Sequence, residues 1–127
     1  MTFPTITYKY NGIEDAKPLA IIMDQKLQSL EKYLKEDSSV ICEVEFEKLT
    51  AQQSGRIYRA EVNLTIDGTL YRAEATEDSF EKAIDEVRDE VDKELRRAKD
   101  KQQTLDKQAG REMKERMLDE VEGKNNN

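Results

Sequence analysis

Apolar and polar positions in this chain alternate in two distinct periods, and the switches between them mark the elements. The strongest signal runs from Thr76 to about Lys101. Phe80, Ile84, Val87, Val91 and Leu95 recur there at steps of three or four, which makes one apolar stripe on a helix. Thr76, Asp78 and Ser79 offer N-cap oxygens, and Glu81 stands three residues after Asp78, as a capping box requires. Acidic residues crowd the first turns, while Lys93, Arg96, Arg97, Lys99 and Lys101 gather at the end. Both biases suit the helix macrodipole.

Ahead of this helix the period is mostly two. Ile6, Tyr8 and Tyr10 alternate with Thr5, Thr7 and Lys9, which predicts a strand closed by the Asn11-Gly12 turn signal. A helix follows, starting near Asp15 with Pro18 in its first turn, where a missing N–H costs little. Leu19, Ile22, Met23, Leu27, Leu30 and Leu34 form its apolar face, and Glu36-Asp37-Ser38-Ser39 ends it. Val40, Cys42, Val44 and Phe46 then alternate with Ile41, Glu43, Glu45 and Glu47 as a second strand. A polar connection passes through Gln52, Gln53, Ser54 and Gly55. Tyr58, Ala60, Val62, Leu64 and Ile66 line one face of a third strand, and Asp67-Gly68 signals a tight hairpin into a fourth, Thr69 to Ala75. The order β-α-β-β-β-α predicts an α+β domain. Its two helices cover one face of a four-stranded sheet and leave the polar face to solvent.

After Lys101 the composition turns polar, and Gly110 and Asn125-Asn126-Asn127 weaken order. The plain expectation for residues 102–127 is a frayed, solvated tail. Yet Leu105, Ala109, Met113, Met117 and Val121 keep a helical spacing. The sharper expectation is an amphipathic helix over 105–121 that engages a protein partner or a second copy of the chain.

Composition narrows the chemistry. At 127 residues the chain holds one domain, expected over 1–101, with a lean core, since 39% of residues are charged and 36% hydrophobic. There is no histidine, the commonest general base and metal ligand. Cys42 is the only cysteine, so neither a disulfide framework nor a cysteine metal cluster is available. It reads as a small buried residue rather than a nucleophile. The five glycines form no phosphate-cradling loop. Glu43, Glu45, Glu47, Glu61 and Glu74 read as a solvated sheet face rather than a Mg²⁺ site. An enzyme is not expected, and no metal or cofactor is implied. No run approaches the ~18 apolar residues of a membrane span, and the N-terminus lacks the pattern of a signal peptide, so a cytoplasmic protein is expected.

A net charge of −7 argues against broad, nonspecific nucleic-acid binding. Residues 93–101 nevertheless carry five basic side chains against Glu94 and Asp100, a local +3. On the pattern alone, these cations serve the helix dipole and pair with acids such as Glu94 and Asp100, as Glu31 would with the neighbouring Lys32. Tyr8, Tyr10, Tyr58 and Tyr71 read as packing at the core or its edge rather than as a stacking platform. Tyr33 is the exception.

Four short stretches carry a resemblance to a known family. Lys26-Leu27 with Leu30-Glu31-Lys32-Tyr33, then Leu70 with Arg72-Ala73-Glu74, then Ala83-Ile84-Asp85, match its motifs in order. Asp89, Lys93, Leu95, Arg96, Arg97, Lys99 and Lys101 follow its basic helix pattern. Over roughly residues 3–101 the chain resembles the ribosome hibernation-promoting family, also called ribosome-associated inhibitors or ribosomal subunit interface proteins. It departs from the pattern at Ser29 and Glu90, where lysine is usual, and at Glu81, where an aromatic is usual. The resemblance implies a short-form, non-enzymatic factor that occupies the decoding channel of the small ribosomal subunit during stress or slow growth. Its expected contacts with ribosomal RNA are Lys26, Lys32, Lys93, Arg96, Arg97, Lys99 and Lys101. A reading from another class stands beside it, an acidic protein-interaction module that uses the tail helix or the open sheet face.

Overall fold

The computed structural model describes residues 3–14, 16–50 and 54–125, with side chains described as far as residue 120. The expected helix start near Asp15, the Gln52-Gln53 connection, the Val121 side chain and Asn126-Asn127 lie outside the described residues. The elements are β1 (Ile6–Asn11), α1 (Lys17–Leu27) continuing as a 3₁₀ helix (Gln28–Tyr33), β2 (Val40–Lys48), β3 (Tyr58–Ile66), β4 (Thr69–Glu77) and α2 (Phe80–Asn125). The sheet order is β1-β2-β3-β4. β1 runs parallel to β2 across the α1 crossover, and the two remaining pairings are antiparallel. This is the predicted α+β architecture.

Strand register explains why one face became the core. Ile6 lies opposite Cys42, and Cys42 opposite Leu64; Tyr10 lies opposite Phe46, and Phe46 opposite Ala60. The period-two apolar residues of all four strands therefore share one face. Met23 and Leu27 of α1, Leu30 of the 3₁₀ helix, and Ala83, Ile84, Val87, Val91 and Leu95 of α2 are buried in the same cluster. Each fully buried aliphatic side chain stabilises by about 1.5–3 kcal/mol relative to exposure. The tyrosines flank that core: Tyr8 and Tyr10 stack on Phe46, and Phe80 meets Phe46 and Tyr58 edge-on at 5.7 and 4.9 Å. The Tyr8 hydroxyl donates to Asp24 Oδ1 and Ala20 O, a polar exit for a ring at the core edge. Cys42 is buried, and burial first, then Asp24 and Glu43, pushes its thiol up to about 12. A thiol so reluctant to ionise is a packing residue.

Three boundaries differ from the sequence expectation. The first helix does not run as one α-helix to Glu36; it tightens at Gln28 to 3₁₀ winding and turns extended at Leu34. With three residues per turn, Leu27 and Leu30 stay on one side, so the apolar spacing survives the change of winding. The Ser29 hydroxyl donates to the Lys26 carbonyl at this junction. Thr76 belongs to β4 rather than to the helix cap. Ser79 caps α2 by accepting the Lys82 N–H, which makes Lys82 the third helical residue, so Glu81 closes no capping box with Asp78. Asp78 instead pairs with the Lys82 ammonium at 2.9 Å.

The chain divides into two units, Met1–Leu95 and Arg96–Asn127. The second is helical to Asn125, and every residue from 101 to 120 is exposed. A helix thus stands where a frayed tail was the plain expectation.

Two glycines hold turns. Asp67 and Gly68 both have positive φ, 49° and 85°, as a two-residue hairpin turn demands. Gly12 has φ +71°, and a Cβ there would lie 2.6 Å from the Lys48 carbonyl oxygen, whereas one at Gly68 meets nothing within 4 Å. Gly12→Ala is therefore expected to destabilise by at least about 2 kcal/mol, against about 1 kcal/mol for Gly68→Ala. Urea denaturation checks the ranking, and equal losses would refute the steric account of Gly12.

Candidate nucleic-acid interface

The expected cations fall into two sets. In the first unit, Lys26 on α1 and Lys32 on the 3₁₀ helix are neutralised by acids of α2. Lys26 Nζ lies 2.9 Å from Asp85 Oδ1, and Lys32 Nζ lies 3.8 Å from Asp92 Oδ1. Asp92 also accepts the Tyr33 hydroxyl at 3.0 Å, while the Lys32 ammonium sits 5.3 Å from the Tyr33 ring centroid. Glu31, the expected partner of Lys32, instead accepts the Phe3 N–H at 2.8 Å. These partly exposed pairs contribute little to stability, but they lower the positive potential that the first-helix lysines present. Lys93 is exposed while Val91 and Leu95 beside it are buried, which puts its ammonium on the solvent side of α2.

The second set lies in the second unit. Arg96, Arg97, Lys99 and Lys101 are all exposed. Among the described residues neither these four nor Lys93 forms an ion pair with a carboxylate, and Glu94 and Asp100 do not take the counterion role that charge runs usually assign. Arg97 and Lys101 are four apart, and Arg96 and Lys99 three apart, so each pair shares a row on the helix. Rigid backbone with extended, unpaired cations is suited to phosphate oxygens. At the departures from the family pattern, Ser29, Glu81 and Glu90 are exposed.

The polar sheet face holds an arrangement that sequence reading passed over. Arg59 on β3 is central to four carboxylates: Nη1 lies 3.0 Å from Glu45 and 3.2 Å from Glu47, while Nη2 contacts Glu61 and lies 2.6 Å from Glu74. Arg72 Nε adds 3.0 Å to Glu61, and Lys9 reaches Glu45 at 3.7 Å. Burial pushes the Glu61 carboxyl up, but bonds from Asn63 and Arg59 and the charges of Arg59 and Arg72 outweigh it and hold it below its usual range. Burial alone would lower the Arg59 guanidinium's affinity for its proton, and Glu74 and Glu61 reverse that. Of the acidic residues named in the sequence, Glu45, Glu47, Glu61 and Glu74 thus line an arginine site and the exposed Glu43 does not; among the described residues no group of three or more converges as metal ligands. Alternation placed them on one face, but only cross-strand register shows that they converge on Arg59.

The fold and this surface define a two-layer α+β binding domain with a basic helix. The family model described as sigma 54 modulation protein / S30EA ribosomal protein matches residues 6–103, and the chain belongs to that family. The family is ribosome-associated and non-enzymatic, so the chain is not an enzyme. Among solved structures, it is similar to the Thermus thermophilus Protein Y N-terminal domain, at 22% identity and a TM-score of 0.58, covering 76% of this chain and 98% of that one. It is also similar to a ribosomal subunit interface protein from Coxiella burnetii, at 17% identity and a TM-score of 0.57, covering 74% and 96%. At these identities the likeness is one of fold. Comparison with curated proteins gives no match.

The Arg59 site yields a pH signature. Glu61 has a depressed folded-state pKa, so its contribution is present above the unfolded carboxylate pKa and is lost as pH falls through the folded value. In Arg59→Met the crowded carboxylates lose their counterion and take up protons more readily when folded, so that variant gains stability as pH falls. The variant is expected to be about 2 kcal/mol less stable at pH 7, with the gap at least halved at pH 4.5. Urea denaturation at both pH values measures it; a pH-independent gap would mean that Arg59 acts through packing alone.

Proposed function

We propose that this chain is a cytoplasmic, ribosome-binding inhibitor of translation that occupies the decoding channel of the small subunit during stress or slow growth. Residues 1–101 form the binding domain and 102–127 an accessory segment. The reading rests on family membership, and on one observation above all: Arg96, Arg97, Lys99 and Lys101 are exposed cations without carboxylate partners among the described residues. They contact ribosomal RNA through its phosphates, with Lys93 adding to them, and block messenger and transfer RNA by occupancy. Lys26 and Lys32 join the contact by exchanging Asp85 and Asp92 for phosphate oxygens. Soluble action fits a chain in which no helix among the described residues is long and apolar enough to cross a membrane. The local +3 of residues 93–101 reconciles RNA contact with an overall charge of −7, because it confines the attractive field to one stretch.

The rival reading, a protein-interaction module, draws on Leu105, Met113 and Met117, which are exposed apolar side chains on a helix, and on the open sheet face. Salt separates the two, since phosphate contacts weaken steeply with ionic strength and apolar contacts change little.

Co-migration with purified small subunits in a sucrose gradient is expected to fall at least about tenfold in affinity between 50 and 200 mM salt. The Arg96→Glu/Arg97→Glu variant is expected to lose binding while keeping its unfolding midpoint. Binding that survives both changes would exclude this helix as the contact. Asp85→Asn, which frees Lys26 and removes a negative charge, is expected to tighten binding about two- to fivefold with little change in stability; weaker binding would mean that the Lys26–Asp85 pair itself orients the interface.

A further inference from the structure

The basic residues account for the start of the second unit but not for the apolar row further along it. Leu105, Met113 and Met117 are 48%, 63% and 62% exposed. With Ala109 they recur at intervals of four, a ridge that climbs slowly around the helix over about 18 Å. Among the described residues no other exposed apolar side chains form so regular a row. Ridges four residues apart are the ones that interlock in the commonest class of helix–helix packing.

The row is symmetric about its midpoint. Turning the helix end over end at Arg111 sets Leu105 on Met117 and Ala109 on Met113, a medium side chain on a flexible one and a small one on a large one. Beside the row, the same operation sets Asp106 of one helix level with Arg116 of the other, an opposite-charge pair that the symmetry makes twice. Parallel copies in register would instead set Asp106 beside Asp106 and Arg116 beside Arg116.

We propose that the exposed face of the helix at 105–117 is a self-association surface. On it two copies of this chain pair antiparallel, with Asp106 of each level with Arg116 of the other. The contact is short, well under the size of a standard stable interface, so the dimer forms in the upper micromolar range and is in exchange with monomer. It is independent of the RNA-binding reading, because none of its contact residues is among the proposed phosphate ligands.

Sedimentation equilibrium of the full chain, free of ribosomes and at concentrations from about 10 μM to about 1 mM, tests it. The apparent mass is expected to rise from monomer toward dimer across that range. Met113→Glu should hold the chain monomeric throughout, with unchanged helix content by circular dichroism. Asp106→Lys should weaken the dimer at least about threefold, and Asp106→Lys/Arg116→Asp should restore it. A monomer at every concentration, or a dimer indifferent to Met113→Glu, overturns the proposal. Failure of the double exchange to restore what Asp106→Lys removes overturns the antiparallel register.

Discussion

Everything in the first unit depends on burying the stripe of α2 against the inner face of the sheet. Ile84, Val87 and Val91 have no solvent exposure, and neither do Phe46, Val62 and Leu64 on the strands. A sheet so short on apolar residues cannot bury them without a cover, and a helix so charged has one face to offer. The constraint fixes the strand register, since a slip of one residue would turn Glu43, Glu45 and Glu61 into the core. It also leaves the outward residues of β2, β3 and β4 on the open face, and with them an excess of carboxylates.

That excess is handled by position rather than by composition. Arg59 draws the outward carboxylates of three strands to one guanidinium, and Arg72 and Lys9 take up two of them from the side. A carboxylate cluster without such a partner would repel itself and shift toward protonation. Meanwhile Asp85 and Asp92 engage the lysines of the first helical segment, and among the described residues Arg96, Arg97, Lys99 and Lys101 form no ion pair with a carboxylate. The first unit stays strongly acidic, with 21 Asp and Glu against 12 Lys and Arg, while the second has a small excess of basic residues. In the proposed function this division has a physical use: a field confined to one stretch would meet polyanionic RNA there, while the rest of an acidic protein is repelled by nucleic acid.

The first helical segment shows how a correct pattern can hide a change of winding. Leu27, Leu30 and Leu34 fit an α-helix on paper, yet the backbone tightens after Leu27, with the Ser29 hydroxyl bonded to the Lys26 carbonyl. Apolar steps of three are shared by both helix types, so periodicity there does not discriminate. The α2 cap illustrates the same limit at one-residue scale. Asp78 and Ser79 are equally good cap residues in sequence, and the length of β4, set by its pairing with β3 as far as Tyr58 and Glu77, decides in favour of Ser79.

The sequence by itself determined the element order, the two layers, the inner and outer faces of every strand, the buried cysteine and the basic cluster at 93–101, although that cluster lies within α2 rather than at its end because the helix runs on to Asn125. Each is written in local periodicity, or in a turn such as Asp67-Gly68 whose backbone few other pairs adopt. Tertiary structure alone decided which charges meet. Arg59 lies 14 residues from Glu45 and 15 from Glu74, and Tyr33 lies 59 from Asp92. No local pattern relates residues so far apart, because their meeting follows from strand register and from the docking of one helix on another. The same physics explains why Lys26 and Lys32 have as counterions in the fold Asp85 and Asp92, which no local pattern relates to them. Arg96, Arg97, Lys99 and Lys101, whose neighbours in sequence include Glu94 and Asp100, have none among the described residues.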